Sequence, residues 1–266
     1  MNYRLKEFLD HIYEKYNHRG FVSPDPLQTL YEFSSPEDIE IAGIIASSFA
    51  YGRVMQILAT LKKIFARLGS SPADYLDSAS ETTIQKDFSD IIHRFTTPQE
   101  TIGLFTAMKR LRSEFGNLEN LILARKCETV REMQVVLVSN LLNKAGLEKS
   151  SLLPDPRRDS ACKRLNLMFR WLVRADSVDL GIWKSISPSV LTVPLDTHMF
   201  KVAHLLELTS RNDAGHKTAL EITKAFGALT PEDPVKYDFA LTRFGIHPDF
   251  NYRDFHEEKN SFDSEF

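Results

Sequence analysis

The stretch DIEIAGIIASSFAYG, residues 38–52, is apolar on nearly every side of a helix. Ala42, Ala46 and Ala50 recur every four residues, and Ile41, Ile44, Ile45 and Phe49 fill the other positions. Such a helix has no face to give to water, so it belongs at the centre of a bundle, with its small-residue stripe letting neighbours approach closely. It breaks at Tyr51-Gly52-Arg53, where glycine takes up the turn and an aromatic and a cation flank it.

The remaining pattern is helical as well. SSPED (34–38), TTPQE (96–100) and LTPEDP (229–234) each set Ser or Thr before proline and acids. That order predicts an N-cap, a proline in the first turn and negative charge on the positive end of the helix dipole. VVLV (135–138) lies inside a helical pattern running from Glu128 to Leu147, and no alternating strand exceeds a few residues. MNYRLKEFLDHIYEKY reads as an amphipathic helix rather than a signal sequence, and no apolar run approaches membrane-spanning length. The chain is therefore expected to be all-α and cytoplasmic, with no membrane partner. Its polar end, 251–266, is expected to pack loosely, though its aromatics could dock.

Two cysteines, Cys127 and Cys162, are too few for a disulfide framework, a four-thiolate zinc site or a four-cysteine cluster, so no metal and no cofactor are expected. The net charge of −3 does not advertise a polyanion partner; nucleic acid would need a local basic surface. SACKRLNLMFRWLVRAD (160–176) is the candidate. On a helix, Lys163, Arg170 and Arg174 fall within about 40° of one another. Leu165, Met168, Phe169 and Leu172 lie opposite, and Arg157 and Arg158 sit just upstream. No acids interleave on the cationic face, a pattern that suits a phosphate backbone. Further on, VPLDTHMFKVAHLLELT (193–209) puts Asp196 at a helix mouth, where a carboxylate caps the first amides. Asp196, His198 and His204 also suggest a metal hydrolase, but the two histidines lie about 240° apart on a helix and cannot share a face.

PLDTHMFKVAHLL resembles the V-D-T-H-hydrophobic-x-R-V helix start of the helix-hairpin-helix DNA glycosylases, which include endonuclease III and the 8-oxoguanine glycosylases. Asp196, Thr197, His198, Lys201 and Val202 carry the match. IIASSFAYGRVMQI resembles a second helix end of that family, and together with CKRLNLMFRWLVRADSVDLGIW and DPVKYDFALTRFGI the chain looks like an uncharacterised bacterial family with archaeal 8-oxoguanine-glycosylase character. The likeness spans roughly residues 3–248.

The resemblance implies a two-lobed helical bundle: 35–160 as the central lobe, 1–34 with 161–250 as the second, and 251–266 as a tail. It implies a monomeric base-excision enzyme that takes an oxidised purine from double-stranded DNA. Asp196 would stabilise the sugar cation, and Lys163, activated by burial near Arg170 and Arg174, would attack C1′. Tyr51 aligns with the residue that fills the gap left by the extracted base. Arg53, His93, Arg94, Arg170, Arg174, His198 and Lys201 would meet phosphate or base. The family's hairpin, rich in glycine, is degenerate here: LPDPRRDSACKRL (153–165) has none, and Arg157 and Arg158 would substitute. A damage-binding protein of the same fold without chemistry is the alternative.

Overall fold

Helix begins wherever a side chain can take up the first free amides. In the computed structural model, which describes residues 3–265, Ser35 Oγ accepts from the Asp38 amide at 3.1 Å and opens α2, Pro36–Phe49. Reciprocal capping boxes, Thr97 with Glu100 and Thr129 with Glu132, open α6 (Pro98–Phe115) and α8 (Val130–Ala145). The other helices are α1 Tyr3–Tyr16, α3 Val54–Leu68, α4 Pro72–Ser78, α5 Glu81–Asp87, α7 Leu118–Leu123, α9 Lys163–Val173, α10 Thr197–Leu205, α11 His216–Gly227, α12 Asp238–Ile246 and α13 Tyr252–Glu265. Three short 3-10 turns, at Arg19–Phe21, Pro26–Glu32 and Pro188–Val190, join them. Among the described residues there is no strand, only two isolated bridges, and no helix is long and apolar enough to cross a membrane.

Two expectations need correction. LTPEDP does not open a helix: residues 230–237 are turns and α12 starts at Asp238. Pro234, three residues after Pro231, removes an amide that a helix there would need. The acid that would have met the dipole, Asp233, instead accepts from Arg174 Nε at 2.8 Å. The polar end is not loose either. It winds into α13, whose buried Phe255 and Phe262 stack edge-on against Phe8 of α1 with centroids 5.8 and 5.6 Å apart. Glu258 accepts from Lys15 and Tyr16 at 2.6 and 2.7 Å. Residues 1, 2 and 266, the ends of the unit and tail anticipated above, lie outside the described residues.

From Asp38 to Phe49 every residue of α2 is buried. It packs on α9, on α3 and α4, and on the Pro26–Glu32 turn. Gly43 sets its approach to α9: a Cβ there would lie 2.8 Å from Leu172 Cδ2. The helices α4 to α8 pack on one another around α6, while α12 packs on α1, α10 and α13, and one apolar core runs through both groups. Trp171 and Trp183 are both inside it.

The sharpest departure from the sequence concerns the basic helix. Arg170 and Arg174 are each only 3% exposed. Arg170 pairs with Asp238 on α12 and with Asp179 at 3.2 Å. Arg174 pairs with Asp179, Asp176 and Asp233 at 2.5, 3.0 and 2.8 Å. Burial works against both cations, and the surrounding carboxylates outweigh it, holding them charged. The acids missing from the helix itself arrive from the 176–179 loop and from the start of α12, so this face is an internal ionic seam and not a phosphate-binding surface. Removing one member strands the rest without water. Arg170→Met should therefore lower the unfolding free energy by about 3–5 kcal/mol in urea titrations, and adding Asp238→Asn should recover part of that loss.

Candidate functional site

The seam fixes α9 so that its first residue faces the mouth of α10. Lys163 Nζ lies 2.9 Å from Asp196 Oδ2. The other oxygen, Oδ1, accepts from the amides of His198 and Met199 at 2.9 and 2.8 Å, so Asp196 caps α10 while holding the lysine. Burial pushes the Asp196 carboxyl up, but the Lys163 ammonium and the Met199 amide outweigh it and hold it below its ordinary value. The Lys163 side chain is 37% exposed against 10% for Asp196. Lys163 is thus an ion-paired, accessible amine and not one buried among arginines; the account of its activation through Arg170 and Arg174 fails, since both are neutralised elsewhere.

Both residues line a cavity of about 750 Å³. That is within the range of small-molecule and cofactor sites. Its walls come from the 3-10 turn at Pro26, the break after α2, the start of α9, the start of α10 and the inner side of α12. Asp238 and Arg243 of α12 reach it, as does Arg164 of α9. Asp238 is buried, and while one carboxylate oxygen holds Arg170, the other, Oδ1, has no hydrogen-bond partner. Burial, opposed by Arg170, pushes this carboxyl up to about 6. Arg164 ties the cavity rim together, donating to the carbonyls of Ser48 at 2.5 Å and Ser151 at 2.7 Å.

His198 also lines the cavity. Its Nδ1 meets the Tyr252 hydroxyl of α13 at 3.0 Å, and Lys201 Nζ lies 3.6 Å from the centre of the Tyr252 ring. Gly245 makes room for that contact, because a Cβ there would fall 2.2 Å from His198 Nδ1. Burial lowers the imidazole's affinity for a proton, helped by Lys163, Arg243 and Lys201 and opposed by Asp196. The ring is therefore neutral at pH 7.

The Tyr51 region differs from its expected role. Tyr51 is half-buried, and its hydroxyl is bound to the His93 carbonyl at 2.8 Å and to Thr96 Oγ1 at 2.5 Å. It anchors a turn and is not free to fill a gap in DNA. His93 is buried, with its ring bound to Thr60 Oγ1 and to the Tyr51 carbonyl, both at 3.0 Å, so it braces the same turn and is not exposed as a contact residue would be. Arg53 and Arg94 are exposed beside it. Arg157 and Arg158 are exposed in the irregular connection from α8 to α9, where Asp155 lies 2.9 and 3.7 Å from them.

Lys163, Asp196 and His198 thus converge on one cavity, Arg53 and Arg94 stand near its rim, and Arg170 lines it as part of the seam, whereas Arg174 and His93 are structural. Asp238, Arg243, Arg164 and Tyr252 escaped sequence reasoning as individual residues. The signal for the first two was the stretch DPVKYDFALTRFGI, where Asp238 and Arg243 stand among apolar positions.

A family of proteins described only as being of unknown function, DUF2400, matches residues 25–247. The chain belongs to this family. Its match takes in the cavity wall apart from Pro24 and stops short of α1 and α13. No curated protein and no solved structure matches the chain.

Capping and ion pairing can be separated at Asp196. Asn caps nearly as well as Asp, so Asp196→Asn should stay close to wild type at low pH, whereas Asp196→Ala should lie about 1 kcal/mol below Asp196→Asn at any pH. Because the folded carboxyl titrates below its ordinary 3.8, the wild-type advantage over Asp196→Asn is present above that pH and lost as pH falls through the lowered value. Thermal melts of the three proteins from pH 7 to pH 3 measure this.

Proposed function

We propose that this protein is a DNA N-glycosylase that removes an oxidised purine of the 8-oxoguanine kind and then cleaves the strand through a lysine Schiff base. The observation that carries the reading is the Lys163–Asp196 pair, 2.9 Å apart, on the wall of a cavity large enough for an extruded nucleotide. It is supported by the order in which the residues resembling the helix-hairpin-helix glycosylases come together, and by the polar groups on the cavity wall.

The chemistry follows from the pair. Lys163 is charged while it holds Asp196 and must lose a proton to attack; its exposure lets that proton pass to water at the cavity mouth. Losing the ammonium also frees the Asp196 charge, which then faces the positive charge that develops on the sugar as the C1′–N bond lengthens. The Lys163 nitrogen forms a bond to C1′, the C1′–N bond breaks with its electron pair going to the base, and the proton released from the new C1′–N(Lys163) ammonium goes with the base. The sugar ring then opens: the C1′–O4′ bond breaks, the nitrogen lone pair forms the C=N bond, and O4′ takes a proton from water. Loss of a C2′ proton expels the 3′ phosphate from C3′. Asp196 keeps its two amide donors, and with them its orientation, throughout. Asp238 stands on the cavity wall with one carboxylate oxygen unpartnered, an acceptor for a single N–H of a purine base, while Arg243 beside it is held by Phe21, Phe239 and Asp25.

The second reading is a damage-binding protein without chemistry. It draws on the α8–α9 connection, where Asp155 engages the arginines that would have to replace the hairpin glycines on phosphate.

Duplex DNA carrying one 8-oxoguanine, incubated with the protein and borohydride, should yield a covalent protein–DNA band that is lost in Lys163→Ala. Binding without a band for any oxidised purine would favour the non-catalytic reading, and no binding would end both.

A further inference from the structure

With Tyr51 committed to holding a turn, the rim of the cavity offers a different aromatic. His93 and Thr96 close a tight turn by exchanging backbone hydrogen bonds, at 3.2 Å from the His93 amide and 2.8 Å from the Thr96 amide. The two residues at its tip are Arg94 and Phe95. Phe95 is 74% exposed, the most of any large apolar side chain among the described residues. Met55 and Ile92, on the two segments that His93 joins, are each 69% exposed. A phenylalanine held out in water on a braced turn is costly unless something covers it.

The turn is built to hold it there. Arg94 adopts a left-handed backbone, φ 53°, which an arginine reaches only with strain. Its side chain lies across Gly52, where a Cβ would come within 2.6 Å of it, and its guanidinium sits 5.9 Å from the Tyr51 ring centre and 5.4 Å from that of Phe95. Gly52 and Tyr51 are cavity wall, so the tip stands directly beside the opening. Two exposed cations, Arg53 and Arg94, flank the aromatic.

We propose that Phe95 is the side chain that enters the base stack of duplex DNA when a nucleotide is extruded into the cavity, with Arg53 and Arg94 on the adjoining phosphates. The inference rests on the duplex-DNA reading above. Apolar surface flanked by cations matches a stack of bases flanked by phosphates, and a braced turn keeps its shape while it separates neighbouring bases. Tyr51 supports this turn from behind and does not enter the duplex.

The probe is a duplex with a tetrahydrofuran abasic analogue opposite 2-aminopurine, compared with an intact duplex of the same sequence. Wild type should bind the analogue duplex more tightly and change the 2-aminopurine emission. Phe95→Ala should weaken binding to the analogue duplex about 5- to 100-fold, leave the intact duplex within about threefold, abolish the emission change and melt at the wild-type temperature. Phe95→Trp should restore affinity, and its added indole emission should be quenched by the analogue duplex. Arg94→Gly, which tolerates the same backbone, should weaken both duplexes alike and reduce the salt slope by about one.

Phe95→Ala that keeps wild-type affinity and emission change overturns the proposal and leaves the glycosylase reading in place. Wild type that binds neither duplex overturns both. Self-association in sedimentation that Phe95→Ala abolishes, with DNA binding intact, would make the tip an interface between copies and overturn the proposal.

Discussion

The structure depends on two arginines that water does not reach. Arg170 and Arg174 carry their charges into the protein, and four carboxylates meet them there: Asp176 and Asp179 from the loop after α9, Asp233 before α12, and Asp238 at its start. The desolvation cost of such groups is large, and only close, well-directed partners offset it. The geometry that satisfies them is narrow. It sets α9 against α12 with little freedom, and so decides where Lys163 at one end of α9 and Asp238 on the cavity wall stand.

Asp196 shows how one carboxylate serves fold and site together. Its two oxygens divide the work, one on the first amides of α10 and the other on Lys163. The cap aims it, and the lysine and the amides together hold it ionised. His198, next but one along the chain, is steadied by Tyr252 of α13, which lies outside the family match.

Much of the helical scaffold was legible because it is written locally. The caps at Ser35, Thr97 and Thr129 and the all-round apolar α2 each follow from a few adjacent residues. The convergence of Lys163 and Asp196 was legible only through resemblance, since nothing in composition joins residues that far apart. The basic helix misled for the same reason. Whether Arg170 and Arg174 face water depends on acids up to 68 residues away, as between Arg170 and Asp238, and no helical wheel contains them. Likewise Tyr51 reads as a protruding tip until Thr96 and the His93 carbonyl are seen to take its hydroxyl. Phe95 carried no signal at all in the chain, because an exposed aromatic is recognised only when everything around it has been placed.

The account turns on whether the Lys163–Asp196 site breaks the bond between base and sugar. Free base released from duplexes that each carry one oxidised purine, measured under single turnover by liquid chromatography and mass spectrometry, tests that step apart from strand cleavage. Wild type should release one such base stoichiometrically, and Asp196→Asn, folded and capped, should release it at least about a hundredfold more slowly, as loss of a main charge-stabilising group does in other enzymes. A wild type that binds these duplexes but frees no base, or an Asp196→Asn variant as fast as wild type, would contradict the account.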